Sequence, residues 1–138
     1  MDSLLVPGDV AGWYSSLTLD GEGHPHISYR VKENASAGNL RYDTYECSAW
    51  QIMTVDMGAT PTDDVGYYTS IALAGDGSAH ISYYDATHGV LRYSFYDGSS
   101  WVVGIDVDRG DNSGQYNAVA LDASGMYALP TTRAPPTT

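Results

Sequence analysis

Basic residues, cysteine and long apolar segments are all scarce in this 138-residue chain. It has six lysines and arginines against seventeen acids, a net charge of −11. A field of that sign repels phosphate backbones and anionic lipid, so nucleic acid is excluded as a partner. The single cysteine, Cys47, excludes an internal disulfide. No apolar run reaches membrane length, which argues against membrane insertion, and residues 1–7 are too short and too acidic for a signal peptide.

Phenylalanine is also nearly absent, with one residue against twelve tyrosines and three tryptophans. Such amphipathic aromatic residues are typical of β-structure and of surfaces that are only partly buried. No segment carries a sustained helical period. The composition therefore favours an all-β fold.

The dominant feature of the chain is an internal repeat. Residues 14–29 return as 68–83, with nine of sixteen positions identical. Residues 40–50 return as 91–101, and a third copy opens at 116–125 before the match stops. A period near 50 residues is typical of a repeat architecture in which each unit packs on its neighbours.

Each copy divides into four short extended runs separated by turn residues. In the second copy the predicted strands are 67–73, 79–84, 90–96 and 101–107. Apolar and small residues alternate along them: Ile71 and Leu73 share one face, while Ser70 and Ala72 share the other. Four antiparallel strands in a unit of this length predict a β-propeller blade.

The chain then contains about two and a half blades. The predicted boundaries are the end of a preceding blade and a linker at 1–12, blade 1 at 13–57, a linker at 58–66, blade 2 at 67–108, the start of blade 3 at 109–125 and an irregular Pro/Thr-rich tail at 126–138. A closed propeller needs about four to eight blades. We therefore expect the ring to close by homo-oligomerisation, with a dimer favoured over a trimer because it uses the partial third unit.

The repeats carry the pattern Tyr-x-Ser-[Leu/Ile]-x-Leu, then His-Ile-Ser-Tyr, Leu-Arg-Tyr and Gly-Ser-Ser-Trp. This pattern resembles the tandem propeller repeats of bacterial and archaeal surface or secreted proteins. It is more distantly similar to the Asp-box (BNR) repeats of sialidase-type propellers, in which the Asp box closes a hairpin between outer strands. The turn at 97–101 occupies that place but lacks the spacer between Asp and Gly. The resemblance implies a propeller fold and an extracellular or cell-surface parent family.

The resemblance does not imply an enzyme. A sialidase assembles an arginine triad, an acid and a nucleophilic tyrosine from several blades, and two blades do not supply that set. The sequence also lacks Gly-x-Ser-x-Gly, a phosphate loop and Cys-x-x-Cys. We therefore predict no catalytic residues and no cofactor.

The histidines of the two His-Ile-Ser-Tyr segments, His26 and His80, are the first candidates for a chemical role. Both occur at the same strand position, whereas catalytic sites in repeat proteins usually break the repeat. The recurrence therefore favours a structural role in the blade. Trp50 and Trp101, which end the two Leu-Arg-Tyr segments, are predicted to be structural repeat positions for the same reason.

The acidic connection after the second copy is the second candidate. Asp106, Asp108 and Asp111 present carboxylates of the kind that bind calcium. Their spacing lacks the Asp-x-Asp-x-Asp-Gly register and a closing bidentate acid, and Arg109 would repel a cation. A solvated polar loop without a metal is the favoured interpretation, with calcium as the alternative.

Aromatic doublets near the strand starts form the third candidate. The predicted doublets are Trp13 with Tyr14 and Tyr67 with Tyr68. Such planar rings stack on sugar C–H faces, and nearby carboxylates accept hydrogen bonds from sugar hydroxyl groups. The alternative for each ring is packing between blades. These four residues are the predicted ligand-binding residues of a lectin-like module.

Two functions remain open from the sequence. One is a non-catalytic carbohydrate- or surface-glycan-binding module that self-associates. The other is a propeller fragment or assembly scaffold with no ligand of its own, truncated from a longer repeat protein. A shifted reading frame across the tail permits the missing second strand of blade 3, which motivates the hypothesis of a single-base slip.

Overall fold

The fold is built from antiparallel β-strands. The computed structural model describes residues 10–110, 112–122 and 127–128, which contain no helix and therefore none that could cross a membrane. The first sheet comprises β1 Val10–Leu19, β2 Pro25–Lys32, β3 Gly38–Glu46 and β4 Ala49–Asp56. The second comprises β5 Val65–Leu73, β6 Ala79–Asp85, β7 Val90–Tyr96 and β8 Trp101–Asp108. A two-stranded sheet follows, formed by β9 Ala120–Leu121 and β10 Tyr127–Ala128.

Each four-stranded sheet is a meander in which consecutive strands pair antiparallel. The prediction of an all-β fold with four antiparallel strands in each copy is therefore confirmed. The sheets extend from Val10 to Asp56 and from Val65 to Asp108. The division into blades and linkers, the closed ring and the homo-oligomer stay predictions.

The first strand of each sheet, β1 or β5, is here called its inner strand. It begins before the alternating sequence pattern does. A bulge explains the difference: β1 shifts register between Trp13 and Ser16, and β5 shifts at the same place in its own copy. Tyr14 and Tyr68 occupy these bulges with φ of 55° and 53°. A residue in this left-handed conformation interrupts the period of two, so the pattern hides the strand that precedes it.

The two sheets contact each other through their inner strands. Thr69 Oγ1 donates to the Tyr14 carbonyl oxygen at 2.7 Å, and the Ile71 amide donates to Ser16 Oγ at 3.2 Å. The third copy contacts the second sheet in the same manner. Asn117 Nδ2 donates to the Tyr68 carbonyl oxygen at 3.0 Å, and the Val119 amide donates to Ser70 Oγ at 3.1 Å. The repeat in sequence is therefore a repeat of contacts.

The apolar core lies between the two sheets. It consists of residues from both: Leu40, Tyr42, Val55, Val65, Ile71, Ala79, Ile81 and Tyr83. Ile71 and Ile81 are 7% and 0% exposed. The counterpart of Ile71 in the first sheet, Leu17, is 62% exposed.

A buried charge network, formed by Arg92, Asp56, Asp85, Asp106 and Tyr83, also joins the sheets. Arg92 Nη1 lies 3.0 Å from Asp85 Oδ2, and Arg92 Nε donates to Asp106 at 2.9 Å. Tyr83 donates its hydroxyl to Asp56 at 2.6 Å, across the boundary between the sheets. Burial and the nearby Asp56 charge raise the pKa of Tyr83 well above its ordinary value. The phenol therefore remains a donor.

The contact between inner strands gives a first testable prediction. Replacing Ser16 by alanine leaves the buried amide of Ile71 without its acceptor. An unsatisfied buried donor costs about 1–3 kcal/mol, so the free energy of unfolding should fall by that amount. Urea denaturation measures it, with Ser15→Ala as control because the Ser15 side chain is exposed. Equal effects of the two substitutions would contradict the assigned bond.

Candidate functional site

A cleft between the two sheets is the candidate site. It has a volume of about 570 Å³, within the range of small-molecule sites. The first sheet and its β3–β4 turn contribute His26, Tyr42, Thr44, Glu46, Cys47, Gln51 and Met53. The second sheet contributes Gly77, Ser78, Ala79, Tyr96 and Trp101. The cleft therefore exists only where two copies of the repeat meet.

His26 and Tyr42 form one wall of the cleft. They are diagonal neighbours on the paired strands β2 and β3, and His26 Nδ1 lies 2.6 Å from Tyr42 Oη. Both residues are buried, and burial raises the pKa of Tyr42 to about 12. The Tyr42 phenol is therefore neutral at physiological pH. It serves as a hydrogen-bonding group and an apolar ring.

Trp101 provides the opposite aromatic surface. Trp101 directly follows a tight turn. In this turn Asp97 Oδ1 accepts hydrogen bonds from the Ser99 and Ser100 amides at 2.8 and 2.9 Å. These amides, Ser100 first, hold the pKa of Asp97 below its usual value. Trp101 then begins β8, and its ring meets Tyr42 edge-on at 5.3 Å. Local turn chemistry in one sheet thus completes the aromatic lining against the other.

Three buried polar atoms of the cleft residues have no hydrogen-bond partner among the described residues. They are His26 Nε2, Thr44 Oγ1 and Trp101 Nε1. His26 Nε2 lies 3.5 Å from Asp20 Oδ2, without hydrogen-bond geometry. A buried polar group that stays unpaired is costly, and such groups are normally satisfied by protein, water or ligand. All three atoms belong to residues that line the cleft.

The rim of the cleft is polar. The hairpin between β3 and β4 turns through Cys47 and Ser48, both with positive φ, 52° and 64°, as in a type I′ turn. This turn places the exposed Glu46 and Gln51 at the mouth of the cleft. With a chain charge of −11, the Glu46 carboxylate disfavours anionic ligands.

Two of the residues predicted to bind a ligand lie elsewhere. Trp13 and Tyr67 flank the guanidinium of Arg30, whose Cζ lies 6.0 Å and 4.2 Å from the two ring centroids. Arg30 is buried and pairs with Asp64, which also accepts the Tyr67 hydroxyl at 2.8 Å. Burial, followed by the hydrogen bond to Asp64, raises the pKa of Tyr67 to about 12. These rings stabilise a buried cation.

The other two lie in a tyrosine column formed by Tyr14, Tyr68 and Tyr116. Neighbouring ring centroids are 4.7 Å and 4.5 Å apart, and all three residues have positive φ. Burial raises the pKa of Tyr68 to about 12. The column lines a shallow groove of about 540 Å³ beside the inner strands. A ligand-binding role for Trp13, Tyr14, Tyr67 and Tyr68 stays a prediction, and none of them lines the cleft.

The four residues predicted to be structural have unequal surroundings. His80 repeats the histidine–tyrosine pair, since its Nδ1 bonds to Tyr93 Oη, and its ring stacks on Phe95 at 5.6 Å. Trp50 packs on Tyr45 at 5.4 Å and is 39% exposed. His26 and Trp101 line the cleft, a placement that the repeat argument missed. The available signal was a difference between the copies: residue 44 is threonine where the second copy has Phe95.

Two of the three aspartates of the alternative calcium site make other contacts. Asp106 accepts from Arg92 and pairs with Arg109 at 2.7 Å. Asp108 Oδ1 accepts the Gly110 amide at 2.8 Å, and Asp111 lies outside the described residues. In the part of the chain that is described, no group of three or more His, Cys, Asp or Glu side chains could hold a metal ion.

Two histidines should titrate in opposite directions. The Asp20 carboxylate bonds to the His24 ring at 3.0 Å and raises the pKa of His24 above its ordinary 6.5, whereas burial lowers that of His80. The His24 interaction stabilises the fold at low pH and is lost as pH rises through its folded pKa. His80 has the opposite effect. Because its folded-state pKa is lowered, the fold loses stability as pH falls below 6.5. Histidine NMR titration measures both pKa values, and Asp20→Asn should lower the pKa of His24 toward its ordinary value.

Comparison with known proteins gives a similarity of fold. No protein-family model matches the chain, and no curated protein matches it. A solved structure of a fucose lectin from Kordia zhangzhouensis, in complex with methyl-fucoside, is similar with a TM-score of 0.53 and 20% identity. The match covers 85% of this chain and 81% of the lectin chain. At this identity the likeness shows the fold alone, and it does not support the Asp-box resemblance.

Proposed function

We propose that this chain is a non-catalytic carbohydrate-binding module whose cleft between the sheets holds a neutral sugar. The observation that carries the proposal is that three buried polar atoms around one cleft have no hydrogen-bond partner among the described residues: His26 Nε2, Thr44 Oγ1 and Trp101 Nε1. The indole N–H is a donor only, while the threonine hydroxyl both donates and accepts. Sugar hydroxyls provide both kinds of partner.

The walls of the cleft suit the remaining surface of a sugar ring. Tyr42, Tyr96 and Trp101 offer aromatic faces and edges for C–H groups. Met53 and Ala79 add an apolar patch, which fits the methyl group of a 6-deoxy sugar better than a charged substituent. Glu46 at the rim works against sialic and uronic acids.

The fold similarity supplies the first ligand to test. The Kordia zhangzhouensis lectin binds methyl-fucoside in its solved structure. Fold alone does not transfer a ligand, because sites are built on folds independently. The support for the present chain is the cleft, and methyl-fucoside is a neutral 6-deoxy sugar of the kind that we propose it binds.

A scaffold without a ligand is the second candidate. The histidine–tyrosine pair of the cleft, His26 with Tyr42, recurs as His80 with Tyr93 in the second sheet. A contact present in both copies serves blade packing irrespective of any ligand. Under this alternative the unpartnered atoms of the cleft are satisfied by water alone.

A glycan array followed by calorimetry with methyl-fucoside separates the two candidates. The proposal predicts specific binding of neutral, fucose-bearing glycans by the purified chain and none of sialylated glycans lacking fucose. It also predicts no turnover of a chromogenic fucoside. If correctly folded protein bound no glycan on the array, the scaffold function would be favoured. Reproducible hydrolysis would contradict a non-catalytic module.

A further inference from the structure

The first sheet has an uncovered apolar face, here called the open face, which consists of Leu17, Leu19 and Ile27. Leu17 and Leu19 are 62% and 59% exposed, and Ile27 is half-buried. The counterparts of Leu17 and Ile27 in the second sheet are Ile71 and Ile81, which the first sheet covers to 7% and 0% exposure. The open face therefore has the composition of an inter-sheet contact that lacks its second side.

The polar contacts between successive repeats have the same geometry in two places. The leading sheet presents a tyrosine carbonyl oxygen and, two residues later, a serine hydroxyl as acceptors. The following sheet presents a polar side chain and, two residues later, an amide as donors. Tyr14 and Ser16 accept from Thr69 and Ile71. In the second instance Tyr68 and Ser70 accept from Asn117 and Val119.

Within the described part of the chain, one donor set and one acceptor set take no part in these contacts, at opposite ends of the series. The donors are the exposed Ser15 hydroxyl and the Leu17 amide, which align with Thr69 and Ile71. Leu17 pairs with Ile27 as Ile71 pairs with Ile81, so its amide points away from β2 in the same way. The remaining acceptor is the carbonyl oxygen of Tyr116, followed two residues later by Ala118.

We infer that the open face binds a second copy of this chain, head to tail, through the third repeat around Tyr116. The occupant is this chain because its third repeat presents the acceptor that pairs with Ser15 in the twice-used geometry. The tyrosine column is continuous with the proposed contact. Its end residues, Tyr14 and Tyr116, are 40% and 72% exposed, and association stacks one on the other.

Ala118 makes this contact weaker than the two inside the chain. Ser16 and Ser70 provide hydroxyl acceptors, whereas Ala118 at the aligned position provides none. The Leu17 amide of the second copy therefore lacks a partner in the wild-type association. Ala118→Ser supplies the missing acceptor and should tighten association about two- to twelvefold for each contact, the equivalent of one hydrogen bond.

Sedimentation equilibrium across the micromolar range tests the inference with two matched pairs of variants. Ala118→Ser is compared with Ala120→Ser, which adds a hydroxyl at a position where the aligned Ala72 has none. Leu17→Glu is compared with Met57→Glu, since Met57 is 63% exposed but lies in the loop after β4. Circular dichroism checks that each variant is folded.

The expected result is reversible association of the wild type, tighter with Ala118→Ser alone and abolished by Leu17→Glu alone. A wild type that stays monomeric at every concentration would overturn the inference. So would equal effects within either pair, because the contact would then not depend on the aligned positions. None of these substitutions touches the cleft. Failure here therefore leaves the proposed sugar binding intact, and loss of sugar binding leaves association intact.

Discussion

Replacing Arg92 by alanine should lower the free energy of unfolding by about 3–5 kcal/mol, because it removes the guanidinium that pairs with the buried carboxylates of Asp85 and Asp56. Arg92 is the cation of the buried charge network. Two of its carboxylates have a further partner, since Asp85 also pairs with His88 and Asp106 with Arg109. The Arg92 guanidinium approaches Asp85, which is 0% exposed, Asp106, and Asp56 at 3.6 Å. Because Asp56 belongs to the first sheet, the loss should weaken the contact between sheets as well as the second sheet itself.

Arg109→Ala is the matched control. Its side chain is 78% exposed and pairs with the same Asp106 carboxylate. An exposed ion pair contributes about 0–1 kcal/mol, so this variant should unfold close to the wild type. Urea or thermal denaturation gives both values. Similar small effects of the two substitutions would show that the buried network does not hold the sheets together.

Replacing Trp101 by alanine should weaken sugar binding about fivefold to 150-fold, since aromatic anchors of this kind contribute about 1–3 kcal/mol. The substitution removes the ring that meets Tyr42 and the unpartnered indole N–H together. Trp101→Phe separates the two contributions. It keeps an apolar ring but deletes the donor, and should retain part of the affinity.

Trp50→Ala is the repeat-matched control for Trp101. Trp50 occupies the same position in the first sheet but lies outside the cleft, packed on Tyr45. Calorimetry with methyl-fucoside should therefore give wild-type affinity for this variant. Equal losses at the two tryptophans would indicate a structural effect of the repeat position and would contradict the cleft as the binding site.

The fold could be predicted because its determinants are local and repeated. Alternation along segments such as 79–84 and turn residues such as those at 97–100 specify strands and hairpins without reference to the rest of the chain. The repeat then aligns the strands of one copy with those of the other. The bulges at Tyr14 and Tyr68 could not be predicted in this way, since positive φ at a tyrosine leaves no mark in the hydrophobic pattern.

The cleft could not be predicted because it is assembled across copies. Tyr42 lies in β3 and Trp101 at the start of β8, and only the packing of the two sheets brings their rings to 5.3 Å. Recurrence of His26 and Trp101 in both copies argued for a purely structural role. The same side chain serves packing in one setting and lines a cavity in the other, because Thr44 leaves space that Phe95 fills beside His80.

The aromatic doublets illustrate the opposite difficulty. Trp13 and Tyr67 have the composition of a sugar-stacking surface, yet both rings lie against the buried guanidinium of Arg30. Sequence proximity does not reveal that contact, since Arg30 comes from β2 and Tyr67 from β5. Exposure of an aromatic side chain depends on which cation or ring lies over it in three dimensions.

The indole N–H resonances provide the most direct test of the central claim. The chain has three tryptophans, hence three such signals in a nitrogen-15 correlation spectrum. Titration with methyl-fucoside should shift the Trp101 signal, because its buried Nε1 gains a hydrogen-bond partner, while the Trp13 and Trp50 signals stay in place. A saturable shift at Trp13 or Trp50 with an unchanged Trp101 signal would contradict sugar binding in the cleft.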